Sequence, residues 1–231
     1  MGRIAKILLV LYLFSLLSAP AQAAEPPKYV ALTFDDGPSG QYTRRLLEGL
    51  AARGVHATFF LCGYRLETYG NLAEDIRRGS HEIGLHGYSH DSMAKMSPQT
   101  LRRELQDTAA LLPRGCVVNL MRPPGGAGGE VLEQVTREGN LAVISWSVDP
   151  RDWETRDREL ILRRMLEATG DGDVILMHDM TDSSVDAALA LVDALTARGY
   201  KFLTVSQLAM LRLRQLKAGV CYESFHRPSP G

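Results

Sequence analysis

The sequence predicts an α/β domain whose strands and helices form a distorted (β/α)7-8 barrel. From Lys28 onward, short apolar segments rich in β-branched residues alternate with longer segments of helical periodicity, and this alternation is typical of a parallel sheet. Seven such units are enough for a closed or nearly closed barrel. A doubly wound open sheet is the alternative that the same alternation allows.

Each predicted strand is a short apolar segment bounded by polar, glycine or proline residues. The seven predicted strands are Tyr29–Phe34, Ala57–Leu61, Glu82–Leu85, Val117–Met121, Ala142–Val148, Val174–Met177 and Phe202–Val205. The helical segments repeat apolar residues at intervals of three or four, and Ser97 before Pro98 is a typical helix start. The predicted helices are Thr43–Arg53, Leu66–Arg78, Pro98–Leu112, Glu130–Glu138, Arg158–Ala168, Val185–Ala197 and Gln207–Lys217.

Residues 1–23 have the features of a secretory signal peptide. Two basic residues, Arg3 and Lys6, precede the apolar run Ile7–Leu17, and small residues then lead to an A-x-A cleavage site that ends at Ala23. The apolar run is shorter than the roughly 20 residues that a membrane span requires. We therefore expect a secreted or periplasmic protein with no stable membrane span after cleavage. An uncleaved anchor is the alternative.

The rest of the chain has the length of one domain, which we place at residues 24–220, followed by a short C-terminal tail, residues 221–231. The whole chain has 26 basic and 27 acidic residues, and loss of Arg3 and Lys6 with the signal peptide makes the mature protein more acidic. Surfaces that bind nucleic acid through its phosphates are usually basic, so nucleic acid is not an expected partner.

Three cysteines, Cys62, Cys116 and Cys221, remain after the predicted cleavage. In an exported protein they could form one disulfide and leave one thiol, and the sequence does not indicate which pair would form it. No two of them have the close C-x-x-C spacing of a metal site. We therefore do not expect the cysteines to bind a metal.

Two adjacent carboxylates, Asp35 and Asp36, follow the first predicted strand and precede the turn at Gly37-Pro38. Carboxylates side by side repel one another unless a cation or a hydrogen-bond donor compensates. The pair therefore suggests a metal on one carboxylate and a role in proton transfer for the other. Taken alone, these residues are also typical of an acidic surface turn.

Two histidines, His86 and His90, follow the third predicted strand. A spacing of four places both imidazoles on one face of a helical turn, where they can bind one metal ion. Together with Asp36 they give two nitrogen ligands and one oxygen ligand, with positions left open for water, as in catalytic metal sites. This ligand set suits Zn²⁺, although Co²⁺ or another divalent ion could occupy it. Taken alone, two histidines are more often surface or core residues.

Three further motifs follow later strands, and each is a weak signal when taken alone. They are Met121-Arg122-Pro123-Pro124-Gly125-Gly126 after the fourth strand, Asp149-Pro150-Arg151-Asp152-Trp153 after the fifth, and Leu176-Met177-His178-Asp179 at the sixth. The carboxyl ends of parallel strands in a barrel meet at one rim. We therefore expect these motifs to converge with the aspartates and histidines at that rim.

In this order the motifs resemble those of the polysaccharide deacetylase family, the NodB homology domain of carbohydrate esterase family 4, over about Tyr29–Val205. The resemblance implies a metal-dependent hydrolase that removes N-acetyl groups from glycans containing N-acetylglucosamine, such as peptidoglycan, chitin oligomers or poly-N-acetylglucosamine. It also implies roles for individual residues: Asp35 as general base, Asp36, His86 and His90 as metal ligands, His178 as general acid, Arg122 orienting Asp35, Asp152 keeping His178 charged, and Trp153 and Leu176 forming a wall for the acetyl methyl group.

Two positions depart from the family pattern. Family members often have serine or threonine where this chain has Gly87, so a supporting hydroxyl is missing. The family usually has an aromatic residue where this chain has Gly125, so an aromatic wall against the sugar is lost. The backbone N–H of Gly125, which in the family faces the oxyanion, remains available.

Two other functions remain open. The same scaffold could hydrolyse another amide or ester, such as acetylxylan or a small cyclic amide, or it could be a metal-containing carbohydrate-binding module without turnover. In the hydrolytic mechanism, water activated by the metal and Asp35 is the nucleophile, and His178 protonates the leaving amine. The presence of both Asp35 and His178 favours catalysis, because binding alone requires no paired acid and base.

Overall fold

The computed structural model describes residues 26–227, so the predicted signal peptide lies outside the described residues. The strands are β1 (Lys28–Gly37), β2 (Thr58–Leu61), β3 (Glu82–Leu85), β4 (Leu120–Met121), β5 (Ala142–Ile144), β6 (Val174–His178), β7 (Tyr200–Phe202) and β8 (Cys221–Tyr222). The helices are α1 (Gln41–Ala52), α2 (Gly63–Arg78), α3 (Pro98–Ala110), α4 (Glu130–Glu138), α5 (Arg158–Ala168), α6 (Asp182–Ala197) and α7 (Val205–Leu213).

The strands form a single parallel sheet that curves into a distorted barrel. Its order is β6-β1-β2-β3-β4-β5-β8, and β7 pairs with the first residues of β1. Two isolated bridges, Val148–Ile175 and Asp173–Ser224, link β6 at one end of this order to the region of β5 and β8 at the other. The predicted α/β barrel is therefore confirmed, with part of its closure made by single bridges rather than by continuous ladders.

Strand β1 runs through the centre of the molecule and is buried on both faces. Its residues Val30, Leu32 and Phe34 pack in the cluster between the sheet and the outer helices, whereas Ala31 packs in a second cluster inside the barrel together with residues of α7. Because side chains alternate along a strand, Asp35 is expected on the same face as Ala31. The alternation therefore directs the Asp35 carboxylate to the inner face of the barrel, near the carboxyl end of a largely apolar strand.

Two strands are several residues shorter than the sequence predicts. The predicted strand Val117–Met121 begins only at Leu120, since Val117 is 80% exposed and cannot contribute to a buried strand. The predicted strand Ala142–Val148 ends at Ile144, and Val148 forms only an isolated bridge. The last predicted strand, Phe202–Val205, corresponds to β7, and the last predicted helix, Gln207–Lys217, corresponds to α7; both begin and end a few residues earlier than predicted. In both shortened strands the apolar pattern extends beyond the residues that find a partner in the sheet.

Residues 221–227, which the sequence predicts as a tail, pack on the barrel. Strand β8 pairs with β5 in parallel, and Phe225 is buried in the inner cluster with its backbone N–H donating to the Gly172 carbonyl at 2.7 Å. The three cysteines are free thiols. Within residues 26–227, no helix is long and apolar enough to cross a membrane.

Candidate active site

The predicted motifs meet at the carboxyl ends of the strands. Asp35 in β1 lies opposite His178 in β6. Leu85 in β3 pairs with Met121 in β4, so the residues that follow them, His86 and Arg122, are also neighbours. The convergence follows from the parallel topology, because each motif comes at the end of a strand.

Two adjacent carboxylates reach the site because β1 is irregular between them. A regular strand would point Asp35 and Asp36 to opposite faces. The register of β1 against β2 shifts between Phe34 and Gly37, and Asp36 has a φ of 68°, which aspartate adopts more readily than most residues. The bulge turns the Asp36 side chain toward the site that Asp35 faces. His86 Nε2 consequently lies 3.7 Å from Asp35 Oδ2 and 3.2 Å from Asp36 Oδ1.

Asp36, His86 and His90 form a group that could hold a metal ion, with ligand atoms within 4.8 Å of one another. The Nε2 atoms of His86 and His90 lie 3.2 and 2.9 Å from Asp36 Oδ1, yet within the described residues this buried oxygen has no hydrogen-bond donor. A buried carboxylate oxygen without a donor is unfavourable unless a cation compensates. Two imidazole nitrogens and one carboxylate oxygen therefore fit a divalent ion of the zinc type.

The protonation states in this group also suit a cation. His86 Nδ1 lies 2.7 Å from the carbonyl oxygen of Arg122; a proton on Nδ1 orients the ring so that Nε2 faces Asp36, where Nε2 could bind a metal ion shared with that carboxylate. Burial by itself would raise the pKa of Asp36, but the imidazoles of His86, His90 and His178 that face it hold the pKa well below its usual range. Asp36 is thus an ionised carboxylate.

The segment from His86 to His90 is a loop, and the predicted helical turn is wrong. Gly87 and His90 have positive φ values of 81° and 66°, which a right-handed helix excludes. Hydrogen bonds to neighbouring helices hold the loop, in place of the hydrogen bonds that a helical turn would form within itself. Glu104 of α3, which the sequence analysis missed, accepts hydrogen bonds from the backbone N–H groups of Tyr88 and Ser89 in this loop. No motif marks Glu104, because it is one of many acidic residues on helices.

Arg122 is fully buried and forms an ion pair with Asp35. Its Nη1 donates to Asp35 Oδ1 at 2.7 Å and to Thr33 Oγ1 at 2.8 Å. The remaining nitrogens donate to the carbonyl oxygens of Ile144 and Ser145, at 3.0 and 2.8 Å. With Oδ1 occupied, Asp35 Oδ2 is the oxygen that faces the metal ligands.

His178 and Asp152 form the second ion pair of the site. His178 Nδ1 lies 2.8 Å from Asp152 Oδ1, and the backbone N–H of His178 donates to Asp152 Oδ2 at 2.9 Å. Burial by itself lowers the pKa of His178, but the hydrogen bond and the charge of Asp152, together with Asp35 and Asp36, raise it to about 9. The imidazolium, with Nε2 3.9 Å from Asp36 Oδ2, can act as a proton donor at neutral pH.

Asp179, next to His178, is a second residue that the sequence analysis left without a role. It is fully buried, and burial raises the pKa of its carboxyl group to about 6 despite hydrogen bonds that favour the charged form. Thr43 of α1 donates to its carboxylate, and Ser39 donates to its carbonyl oxygen. Asp179 therefore ties the end of β6 to the segment that follows Asp36.

The three predicted substrate-contacting residues lie in different surroundings. Leu176 is buried in β6, two positions before His178 and hence on the same face of the strand. Trp153 is 55% exposed, with the Arg151 guanidinium 5.4 Å from its ring centroid. Gly125 has a φ of 65°, and a Cβ built on it would meet no atom within 4 Å. Trp153 and Gly125 are therefore accessible to a large ligand.

The chain is similar to known deacetylases. The family model described as Polysaccharide deacetylase matches residues 22–144. Peptidoglycan-N-acetylmuramic acid deacetylase PdaC of Bacillus subtilis (strain 168) is 36% identical over 197 residues, which cover 83% of this chain and 41% of that protein. A peptidoglycan-N-acetylglucosamine deacetylase of Bacillus cereus (strain ATCC 14579) is 35% identical over 200 residues, which cover 83% of this chain and 70% of that protein.

A solved structure has the same architecture. The family 4 acetyl xylan esterase from Clostridium thermocellum, in complex with a cobalt ion, matches with a TM-score of 0.79 and 30% identity, covering 85% of this chain and 98% of that one. The chain spans less than half the length of the Bacillus subtilis relative, at 41%. The similarity to that protein therefore concerns one part of it.

Proposed function

Because this chain belongs to the polysaccharide deacetylase family, we propose that it is a metal-dependent hydrolase that removes N-acetyl groups from glycans containing N-acetylglucosamine. One observation carries the proposal: a buried carboxylate, a three-residue group suited to a metal, and a cationic imidazole surround one point at the rim of the barrel. Acyl transfer to water needs a base, an electrophile and an acid in this arrangement.

Asp36, His86 and His90 would hold the metal. Bound there, a divalent ion supplies a Lewis acid that polarises the acetamide carbonyl and makes a water molecule more acidic. We propose Zn²⁺, with Co²⁺ as an ion that the same ligands accept; the cobalt complex of the Clostridium thermocellum esterase supports this choice.

Asp35 is the proposed general base. Arg122 binds one of its oxygens at 2.7 Å, which leaves Oδ2 beside the metal ligands to accept a proton from the attacking water. Arg122 thereby fixes the direction in which Asp35 presents its free oxygen. A carboxylate held in this way needs no reorganisation during the reaction.

His178 is the proposed general acid. Its pKa of about 9 means that the imidazole carries a proton at neutral pH, and this proton would go to the nitrogen that leaves as the free amine. Asp152 holds the ring by Nδ1, so that Nε2 faces the site. The products are acetate and a glucosamine residue.

The substrate face is built by Gly125, Trp153 and Leu176. We propose that the backbone N–H of Gly125 faces the developing oxyanion and that Trp153 and Leu176 contact the acetyl methyl group. Peptidoglycan is the substrate that the names of the Bacillus relatives favour, and chitin oligomers and poly-N-acetylglucosamine share the same N-acetyl chemistry. Export to the periplasm or the medium, directed by residues 1–23, would bring the enzyme to these polymers.

The metal site is tested by metal analysis of purified protein. A variant with both His86→Ala and His90→Ala should lose the divalent ion, whereas His56→Ala should keep one equivalent, because His56 lies outside the group formed with Asp36. A double variant that still holds one equivalent would contradict the assignment.

Product analysis tests the reaction. The metal-loaded protein should release acetate and a free amine in equal amounts from N-acetylglucosamine oligomers or peptidoglycan. Asp35→Asn and His178→Ala should each keep the metal and reduce turnover, by about a hundredfold or more. Acetate without amine, from acetylxylan, would identify an esterase. Binding of glycans without either product would identify a carbohydrate-binding module.

A further inference from the structure

The loop that carries His86 and His90 is held on one side by helix α2. The backbone N–H groups of Gly63 and Tyr64, in the first turn of α2, donate to the carbonyl oxygens of Gly87 and Tyr88 at 3.0 Å each. These N–H groups have no partner within their own helix. One end of α2 therefore fixes the carbonyl groups in the middle of the loop.

A carboxylate of α3 holds the other side of the same loop. Glu104 Oε2 accepts hydrogen bonds from the backbone N–H groups of Tyr88 and Ser89, at 2.7 and 2.9 Å, and from Ser89 Oγ at 3.2 Å. Charge-assisted bonds of this kind are stronger than those between neutral groups. The two N–H groups directly before His90 are thus fixed by one oxygen atom.

Gly87 leaves the space that Glu104 uses. A Cβ built on Gly87 would lie 3.2 Å from Glu104 Oε2 and 2.6 Å from Met93 Cε, and the φ of Gly87 is 81°. A side chain at this position would push on both residues. The Glu104 carboxylate thus lies in the space that a side chain at position 87 would need.

We propose that Glu104 is a positioning residue for the metal site, which orders the loop so that His86 and His90 stay preorganised for one ion. The inference rests on the metal site of the proposed function. The imidazoles lie with ring centroids 5.2 Å apart, and a loop that moved would lose this separation first at His90, beside the two anchored N–H groups. Residues that orient metal ligands typically change metal affinity when they are removed.

The test compares metal affinity in apo-proteins that remain folded. Glu104→Gln keeps an acceptor oxygen but loses the charge, and Glu104→Ala loses both. Asp107→Asn is the matched control, because Asp107 is an exposed acid on the same helix that makes no hydrogen bond to the loop within the described residues. Co²⁺ is titrated into each apo-protein while the visible absorption of the ion is recorded, and thermal unfolding of the apo-proteins checks the fold.

We expect Co²⁺ affinity to fall by about tenfold for Glu104→Gln and by up to about a hundredfold for Glu104→Ala, with an altered absorption band, while Asp107→Asn stays within about twofold of the wild type. If Glu104→Ala does not fold, Glu104→Gln carries the test. Unchanged affinity and absorption in the folded Glu104 variants would overturn the role of Glu104 alone. A wild-type protein that binds no Co²⁺ would overturn the proposed metal site and this inference with it.

Discussion

Arg122 and Asp35 form an ion pair that is almost completely shielded from water. Nη1 and Oδ1 are 2.7 Å apart, and the two side chains are 0% and 4% exposed. The guanidinium also packs over the ring of Phe60, 4.2 Å from its centroid, and its other nitrogens donate to backbone carbonyl groups. The pair therefore connects the proposed base directly to the interior of the barrel.

Loss of this arginine should destabilise the whole domain. Arg122→Met should lower the free energy of unfolding by about 3–5 kcal/mol, because the Asp35 carboxylate would stay buried without its partner. Urea denaturation at neutral pH measures the change. Arg102→Met is the control, since its ion pair with Glu138 is exposed and should contribute less than about 1 kcal/mol. Similar small losses in both variants would show that the buried pair contributes no more to the free energy of unfolding than the exposed pair.

The barrel could be predicted because parallel strands buried on both faces produce short apolar segments that alternate with helices. Strand β8 could not be predicted in this way. It has only two residues, Cys221 and Tyr222, which are too few to show an alternation of apolar and polar residues. Its pairing with β5 is a contact between distant parts of the chain. The burial of Phe225 depends on that same distant contact.

The convergence of the site residues could also be predicted, because each motif follows a strand of one parallel sheet. Their local geometry could not. The φ of 68° at Asp36 depends on a bulge against β2, and the loop from His86 to His90 depends on the Glu104 carboxylate from another element. Spacing in the sequence contains no information on such tertiary hydrogen bonds.

Replacement of Asp152 should change the pH dependence of deacetylation. Burial by itself lowers the pKa of His178, and Asp152 is the main group that raises it to about 9. In Asp152→Asn the imidazolium should lose its proton at lower pH, so the basic limb of the rate profile should move to lower pH. The limbs belong to the coupled site and not to one residue.

Acetate release by metal-loaded protein, measured across the pH range, checks this shift. Asp193→Asn is the control, because Asp193 pairs with Arg53 on the surface and should leave both limbs in place. An unchanged basic limb in Asp152→Asn, with metal content and fold intact, would remove His178 and Asp152 from the paired role.

Asp179 should make stability depend on pH. Burial raises its folded pKa from 3.8 to about 6, so the folded state favours the protonated form. The stability that this gives is fully present below the unfolded pKa and is lost as pH rises through about 6. Relative to Asp179→Asn, the wild type should therefore lose about 2 kcal/mol between pH 4 and pH 7. Urea denaturation of both proteins at several pH values measures the difference, and a constant difference would contradict the prediction.

Gly87→Ser should weaken metal binding. The new Cβ would lie 2.6 Å from Met93 Cε and 3.2 Å from Glu104 Oε2, on a backbone with a φ of 81°. We expect about a tenfold loss of Co²⁺ affinity, because displacement of Glu104 frees the loop before His90. Gly115→Ser is the matched control: its φ is 79°, but a Cβ there would meet no atom within 4 Å. Backbone strain alone would affect the stability of both variants, whereas loss of metal affinity should be confined to Gly87→Ser. Tighter binding in Gly87→Ser would mean that the added hydroxyl supports the loop better than the Glu104 contact that it displaces.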